Sequence, residues 1–383
     1  MPASVSSPIA VLSAHAGIEG VESDADLLVA LAAVPDPRKA RGCRHQLVTV
    51  LAVSVCAVLA GARSYVSIAE WAHDLPVSAR LRLGIGRQAS SESTIRRILQ
   101  RVDSDALDAA LSGWLAARIP PPQPGGMRVV AVDGKTARGA RTEDRTQVHL
   151  LAAFDHAGGI VLGQTQIEGK SNEITAFVPL LDRLDLTDVL VTADALHTQR
   201  GHADYLHTRG GHYVLIAKAN QPTLHTQLVG LPWRQVPVAV EERDRGHGRV
   251  ETRRVKITSV GAGIAFPHGR LAVQVQRRRR PIGSTTWSSE TVYAVTSLPG
   301  HQARPDLIAE AIRGHWRIEA LHWIRDVSFG EDLSQIRTGS GPAVMATLRN
   351  FAVSRHRLAG ESNIIRACRR TARHPNRAIA LLT

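Results

Sequence analysis

The spacing of apolar positions along this chain changes once, near residue 120. Before that point apolar side chains recur every three or four residues, which is typical of helices packed on a core. The predicted helices cover 27–34, 47–62, 64–75, 93–102 and 107–118. Residues 119–126 contain three consecutive prolines and a glycine pair, a composition that favours a linker. We therefore predict a flexible amino terminus over 1–22, a helical domain over 23–118 and a linker over 119–126.

After the linker, short apolar runs rich in β-branched residues indicate strands. These strands cover 128–132, 147–154, 159–167, 188–193 and 212–217, with a helix over 172–184 between the third and the fourth. Because a crossover helix returns the next strand parallel to an earlier one, the fourth strand is expected beside the first. This order predicts an α/β fold with a ribonuclease H-like core over 127–358, and a β-rich segment interrupts it at about 225–298.

Two aspartates follow buried strand patterns. Asp133 comes after Val-Val-Ala-Val, and Asp194 comes after Val-Leu-Val-Thr-Ala. Ligands of open α/β sheets collect beyond the carboxyl ends of the strands. We therefore expect the two carboxylates to meet at one edge of the sheet, although they are distant in the sequence.

A helical passage over 313–326 supplies a candidate third acid. Residues spaced by four, three and four lie along one stripe of a helix. The polar stripe consists of His315, Glu319, His322 and Asp326. A neighbouring stripe, predicted to dock the helix on the core, consists of Trp316, Ala320, Trp323 and Val327. The helix is thus predicted to bury aromatic side chains and to direct a carboxylate at a site.

Charge narrows the class of partner. The 383 residues carry a formal net charge of +13, which favours a polyanionic binding partner. Nucleic acid is the first candidate for that partner. The insertion contributes basic residues that are either phosphate contacts or a solvated rim, and both interpretations stay open. These residues are Arg253, Arg254, Lys256, Arg277, Arg278, Arg279 and Arg280. A basic carboxyl-terminal tail is expected over 359–383.

Other features limit the location and the mode of binding. The three scattered cysteines fit a reducing cytoplasm. The apolar run over 47–62 is too short for a membrane span, so we predict a buried helix and no membrane association. In one interpretation the helices over 64–75 and 93–102 together form a DNA-binding helix-turn-helix motif, but a long segment separates them. An ordinary helical bundle is the other interpretation.

Several motifs in order carry a resemblance. They begin at Val132-Asp-Gly-Lys, Lys170-Ser-Asn-Glu-Ile-Thr, Thr192-Ala-Asp-Ala-Leu-His, Lys218-Ala-Asn-Gln and His315-Trp-Arg-Ile-Glu. In these segments the chain resembles bacterial insertion-sequence transposases of the ISAs type, the relatives of the H-repeat-associated proteins. The resemblance runs from about residue 27 to about residue 358 and includes the helical amino-terminal region.

The resemblance implies a DDE transposase with Asp133, Asp194 and Glu319 as its acids. A wider related group has Tyr, Arg and Lys around the Glu, where this chain has Ile312, His315 and Asp326. The roles of those three side chains are therefore not transferred. The resemblance also implies a homodimer that acts on the terminal inverted repeats of an element and on target DNA.

In-line attack on a phosphodiester is served by two divalent ions held by carboxylates. Oxygen ligands favour Mg²⁺, or Mn²⁺, and we expect two ions bound by the three acids. Lys135, His197, His315 and Asp326 are candidates to assist.

Two other hypotheses remain open at this point. A zinc-dependent hydrolase is suggested by the histidines, but His315 and His322 are seven residues apart, whereas zinc motifs prefer four. A DNA-binding relic of a mobile element without catalytic activity is the second alternative.

Overall fold

The computed structural model describes residues 27–41, 43–123, 125–141, 147–167, 173–246, 248–261 and 263–383. The segment predicted to be flexible, 1–22, lies outside these ranges. Six of the described helices precede the sheet. They are α1 (Leu27–Ala32), α2 (Leu47–Leu59), α3 (Tyr65–His73), α4 (Val77–Arg82), α5 (Glu92–Leu99) and α6 (Ser104–Ala116).

Local sequence explains these helices. The α2 helix is buried at all but one position, as the continuous apolar run predicts. Its neighbour α3 begins with a capping box between Ser64 and Ser67, and α6 begins where the Asp103 carboxylate accepts two backbone N–H bonds. Because α4 lies between α3 and α5, the two helices considered for a helix-turn-helix are not joined by a short turn. None of the helices in the described ranges is both long and apolar enough to cross a membrane.

A mixed sheet of nine strands follows in the described residues. The strands are β1 (Arg128–Arg141), β2 (Gln147–Asp155), β3 (Ile160–Ile167), β4 (Val189–Ala193), β5 (His212–Ala217), β6 (Val240–Gly246), β7 (Arg249–Ser259), β8 (Leu271–Pro281) and β9 (Ser288–Thr296). Their order is β3-β2-β1-β4-β5-β9-β8-β7-β6. The pairs β1–β4 and β4–β5 are parallel, which confirms the predicted return of the fourth strand beside the first.

The remaining helices lie between and after the strands. They are α7 (Glu173–Leu181), α8 (Arg200–Thr208), α9 (Pro222–Val229), α10 (Pro305–His315), α11 (Arg317–Phe329), α12 (Gly341–Leu358), α13 (Ile364–Ala372) and α14 (Pro375–Ala380). The β-rich insertion does not form a sheet of its own, because β9 pairs antiparallel with β5 and extends the central sheet.

Alternate residues of β1 contact different helical layers. Val130 and Val132 pack in one hydrophobic cluster with Phe177 of α7. Ala131, on the opposite face, belongs to a cluster with Ile318 and Leu321 of α11. Over residues 130–132 the odd position therefore faces α11 and the even positions face α7.

The carboxyl terminus corrects one prediction. The residues expected to form a basic tail contain α13 and α14, which place Ile364, Cys368 and Ile379 in the same hydrophobic cluster as the amino-terminal helices. The backbone N–H of Leu27 also donates to the carbonyl of Leu382 at 3.2 Å. The arginines had dominated the prediction, but they lie between apolar positions of helical spacing, and that apolar stripe decides the structure.

Candidate active site

The register between β1 and β4 decides where the two aspartates lie. Parallel pairing ends at Val132 and Ala193, and the next residues in the chain are Asp133, still in β1, and Asp194, just after β4. Neighbouring strands are about 4.8 Å apart, which places the two residues side by side at the edge of this pairing. The apolar run predicted that β1 ends at residue 132, but the strand is longer. It continues to Arg141 because β2 still pairs with it, with Asp133 opposite Ala152.

The Asp194 carboxylate is fixed by its own backbone. The chain leaves β4 and makes a short 3₁₀ turn, Ala195–His197. The Asp194 Oδ1 accepts a hydrogen bond from the Leu196 backbone N–H at 2.9 Å. Its other oxygen atom can serve as a ligand.

Glu319 reaches the same place from a helix. It lies in the first turn of α11, three residues after Trp316, at which α10 ends and α11 begins. One pocket is lined by Asp133, Asp194 and Glu319 together. Thr192, Lys218 and His315 also line this acid pocket. The structure thus brings the three predicted acids to one surface.

The convergence of acids changes the electrostatics of Asp133. Burial raises the pKa of its carboxyl to about 7, and the nearby carboxylates of Asp194, Glu173 and Glu319 add to the rise. The backbone N–H of Gly134 acts in the opposite direction. A cation bound between these groups would relieve their repulsion.

Two histidines of the polar stripe lie partly buried near the acids. Burial lowers the pKa of His315 to about 4 and that of His322 to about 3, so both rings are neutral near pH 7. The His315 Nδ1 lies 3.2 Å from the Thr192 hydroxyl, and the His322 Nδ1 lies 3.7 Å from Asp133 Oδ2. The predicted polar stripe therefore does face the site, although His315 is the last residue of α10 rather than part of α11.

The candidate assisting residues lie in different places. His315 lines the acid pocket. Lys135 is buried and its Nζ donates to Asp326 Oδ2 at 2.8 Å, so this pair joins β1 to α11. His197 is buried, with its Nε2 3.5 Å from Glu173 Oε2. We find Lys135, His197 and Asp326 engaged with protein groups around the pocket rather than lining it.

Sequence reasoning did not select Glu173. Its carboxylate receives a short hydrogen bond from His149 and lies where a side chain on Gly134 would be, 2.6 Å from an added Cβ atom. Hydrogen bonds with His149 and His197 outweigh burial and lower its pKa to about 2. Its motif, which begins at Lys170, was the available signal, but Lys170 to Asn172 lie outside the described residues. Lys218 likewise belongs to a quoted motif and was not selected.

Within the described ranges, no group of three or more His, Cys, Asp and Glu side chains forms a ready-made metal cage. A zinc site would need such a set. His315 and His322 instead contact Thr192 and Asp133. A magnesium centre does not need a closed cage, because Mg²⁺ takes one or two carboxylates and completes its shell with water and substrate phosphate.

Comparison with known proteins identifies the family. The family described as Transposase DDE domain matches residues 124–354, and the family described as DDE_Tnp_1-associated matches residues 28–115. This chain belongs to the DDE transposases.

Its relatives include H-repeat-associated proteins. The transposase is 29% identical over 363 residues to "Putative transposase YncI" of Escherichia coli O157:H7, covering 90% of this chain and 88% of that protein. It is 26% identical to "H repeat-associated putative transposase YhhI" of Escherichia coli K12, covering 86% and 89%. A solved piggyBac transposase synaptic complex with hairpin DNA aligns with a TM-score of 0.42 at 10% identity, covering 98% of this chain and 80% of that one. The family assignment supports a DNA transposase rather than the zinc-dependent hydrolase considered from the sequence.

The arginines of the insertion have mixed surroundings in this transposase. Arg253 and Arg277 line the acid pocket and both pair with the buried Glu251. The arginine run over 277–280 therefore has an acidic partner, because Glu251 on the neighbouring strand pairs with Arg277. Arg254 pairs with Glu241 at 2.9 Å, and Lys256 donates to the Trp233 carbonyl at 2.6 Å.

The middle of the arginine run over 277–280 is more exposed. Arg278 and Arg279 are exposed. The guanidinium carbons of Arg278 and Arg280 lie 5.1 and 5.2 Å from the ring centroid of Trp287. Arg278 and Arg279 therefore remain accessible to a phosphate.

The prediction that the second stripe docks α11 on the core was wrong. Trp316, Trp323 and Val327 are exposed and do not dock the helix. The buried positions are instead Ile318, Leu321, Arg325, Ser328 and Phe329. These positions also have helical spacing. The hydrophobic pattern did not predict this face because one of its members, Arg325, is charged.

That arginine belongs to a buried ionic network. Arg325 binds Glu331 through two hydrogen bonds, at 2.9 and 2.6 Å, and Arg349 donates to the same carboxylate at 3.1 Å. Burial alone would raise the pKa of Glu331, but the two guanidiniums outweigh it and lower the pKa to about 2. Arg325 also donates to Gln164 and Asn350. The network connects α11 to α12 and β3.

Proposed function

We propose that this transposase cuts DNA strands at the ends of its element and joins them to target DNA by in-line attack on phosphodiester bonds. Asp133, Asp194 and Glu319 are the catalytic acids of a ribonuclease H-like core. The observation that supports this most is the register of β1 and β4, which sets two acids side by side, with Glu319 lining the same pocket.

The donor set fits divalent metal ions, which DDE transposases generally use. The site offers carboxylate oxygens, the ligands that Mg²⁺ prefers, and the pKa of Asp133 is raised first by burial and then by the carboxylates around it. Asp133 would hold both ions, Asp194 one and Glu319 the other. When bound, two such ions activate the attacking oxygen and stabilise the leaving oxygen.

The residues around the acids have separate tasks in this proposal. The neutral rings of His315 and His322 add no positive charge, so the site keeps its affinity for cations. The exposed Lys218 lines the pocket and is placed to contact a phosphate. We propose a homodimer that holds two element ends.

The test is cleavage of a supercoiled plasmid that carries the terminal inverted repeats, with Mg²⁺ or Mn²⁺. We expect the wild type to cut and Asp133→Ala to leave the plasmid intact. Asp194→Asn should lose cleavage while retaining end binding. Equal cutting by wild type and Asp133→Ala would exclude the catalytic assignment.

A matched control is Glu310→Gln, which removes an exposed carboxylate of α10 that does not line the pocket. It should cut like the wild type. A second readout is independent of cleavage: Mg²⁺ should raise the melting temperature of the wild type and not that of Asp133→Ala. If the wild type binds the element ends but neither cuts them nor responds to metal, the protein is a DNA-binding relic.

A further inference from the structure

A buried hydroxyl lies between two histidine rings at the acid pocket. Thr192 of β4 is buried, and its Oγ1 lies 3.3 Å from His156 Nε2 and 3.2 Å from His315 Nδ1. A hydroxyl has one proton, so it can donate to one of these rings and accept from the other. The direction of the two hydrogen bonds decides which nitrogen of His315 carries a proton.

Both rings are neutral near pH 7. Burial lowers the pKa of His156 to about 3 and that of His315 to about 4. A neutral imidazole has a single N–H, on Nδ1 or on Nε2. Each ring is therefore one of two tautomers, and the hydrogen bonds through Thr192 link the two choices.

The surroundings of His156 Nδ1 favour a lone pair there. This nitrogen is buried and has no hydrogen-bond partner among the described residues. A Cβ atom added to Gly314 would overlap Nδ1, with the next ring atoms, Cε1 and Cγ, at 3.1 and 3.3 Å. A Cα hydrogen of Gly314 takes that direction. A hydrogen on Nδ1 would collide with it, whereas a lone pair accepts the contact, so the proton of His156 is on Nε2.

The tautomer of His156 sets the direction of both hydrogen bonds. With its proton on Nε2, His156 donates to Thr192 Oγ1, and the Thr192 hydroxyl donates to His315 Nδ1. The proton of His315 is then on Nε2, which has no hydrogen-bond partner within the described ranges. Because His315 lines the acid pocket, this N–H is a donor available to a ligand there.

We propose that His156 and Thr192 are positioning residues, which hold His315 as a hydrogen-bond donor to a non-bridging oxygen of the phosphate bound at the acids. The inference rests on the proposed function for the presence of that phosphate. It also excludes His315 as the general base, because Nε2 already carries a proton and Nδ1 accepts from Thr192. A neutral donor contacts the phosphate without repelling the metal ions.

The first test measures the tautomers without metal or DNA. Protein with ¹⁵N-labelled histidines is studied by NMR at neutral pH, and the two rings are assigned by the signals missing in His156→Gln and His315→Gln. We expect an Nε2–H tautomer for both. Thr192→Val should shift the Nδ1 signal of His315, because that nitrogen loses its donor, and Thr192→Ser should leave the signal in place. A proton on Nδ1 of either ring, or an Nδ1 signal that does not respond to Thr192→Val, would overturn the proposal.

The second test measures what the hydroxyl contributes to the reaction. Thr192→Val should lower kcat for plasmid cleavage about 10-fold and leave KM for DNA nearly unchanged, because His315 is no longer oriented. Thr192→Ser should keep most of the activity. The matched control is Thr165→Val, which makes the same change on β3 outside the pocket and should cut like the wild type. Equal losses in Thr192→Val and Thr192→Ser, or no loss in either, would contradict the role of the hydroxyl.

The two proposals fail in different ways. The NMR measurement uses neither metal nor DNA, so it does not depend on catalysis. Equal plasmid cutting by wild type and Asp133→Ala would remove the catalytic assignment and leave the tautomers unchanged. Metal-dependent cutting that is equal in wild type and Thr192→Val would remove only the positioning role of Thr192 and His156.

Discussion

The α11 helix carries two groups of charged residues with opposite arrangements. Near its start, Glu319 joins Asp133 and Asp194 around a pocket, so charges of one sign converge. Two turns later, Arg325 meets Glu331 within a buried network in which each charge has a partner. The network is buried whereas Glu319 is exposed, and the two groups also differ in whether the protein itself supplies the compensating charge.

This difference distinguishes an ion network that stabilises the fold from a set of acids that can bind a cation. A buried charge with its partner connects elements of the fold, and removing one partner leaves the other unsatisfied. Converging carboxylates without a partner raise the free energy of the folded chain, so they persist only where a bound cation or a substrate compensates them. The same helix is thus anchored by one group and contributes, through the other, to the site that we propose for catalysis.

The largest expected effect concerns catalysis. Glu319→Gln removes one carboxylate of the pocket and keeps its shape, so cleavage should fall at least about 100-fold. The free energy of unfolding should stay the same or rise, because repulsion is removed. Plasmid cleavage and urea unfolding measure the two quantities. A large loss of stability would mean that Glu319 is structural, and the comparison would fail.

The opposite pattern is expected for the paired network. Glu331→Gln leaves Arg325 and Arg349 buried without a carboxylate, and the free energy of unfolding should drop by about 3–5 kcal/mol. Urea unfolding at neutral pH measures the loss, with the exposed Glu310→Gln as control. A change below about 1 kcal/mol would show that the network contributes little.

A smaller effect sharpens the electrostatic argument. The pKa of Asp133 is about 7 in the folded protein against an ordinary value of 3.8, so the folded state holds this proton more tightly. The corresponding stability is present at low pH and is lost as pH rises from about 4 to 7. Asp133→Asn lacks this dependence.

The melting temperature of Asp133→Asn in EDTA, relative to wild type, should therefore increase by a few degrees between pH 5 and pH 8. Thermal unfolding across this pH range measures it. A constant difference would indicate that the pKa of Asp133 is not raised in the folded protein. Adding Mg²⁺ at pH 8 should narrow the difference, because the ion stabilises only the wild type.

The smallest expected effect concerns a lysine side chain that lines the acid pocket. Lys218 is exposed there, whereas Lys135 is buried and paired with Asp326. Lys218→Ala should weaken binding to duplex DNA a few-fold and reduce the slope of log affinity against log salt by roughly 0.9, the value for one phosphate contact. Titrations at several salt concentrations measure the slope. An unchanged slope would show that Lys218 does not contact phosphate.

Much of the architecture could be predicted because its signals are local. The period of apolar residues changes near residue 120, and the strand order around β1 and β4 follows from element order and crossover handedness. The positions of Asp133 and Asp194 after β-branched runs indicated their meeting point. The continuation of β1 past Asp133 was not visible, because it depends on pairing with β2 rather than on its own composition.

The carboxyl terminus shows a second limit of sequence reasoning. Its arginines suggested a solvated tail, but Ile364, Cys368 and Ile379 pack against the amino-terminal helices. A short amphipathic segment with high charge is stable only against a surface, and the sequence does not show which surface is available.

The sequence by itself determined which residue types this protein offers: three acids in family motifs, a helical face with Glu319 and an excess of positive charge. Only the tertiary structure decided which face of α11 is buried, because Arg325 can occupy a core position once Glu331 and Arg349 surround it. That choice turns Trp316 and Trp323 toward solvent. The physical reason is that burial of a charge depends on partners distant in the chain, which hydrophobic spacing cannot report.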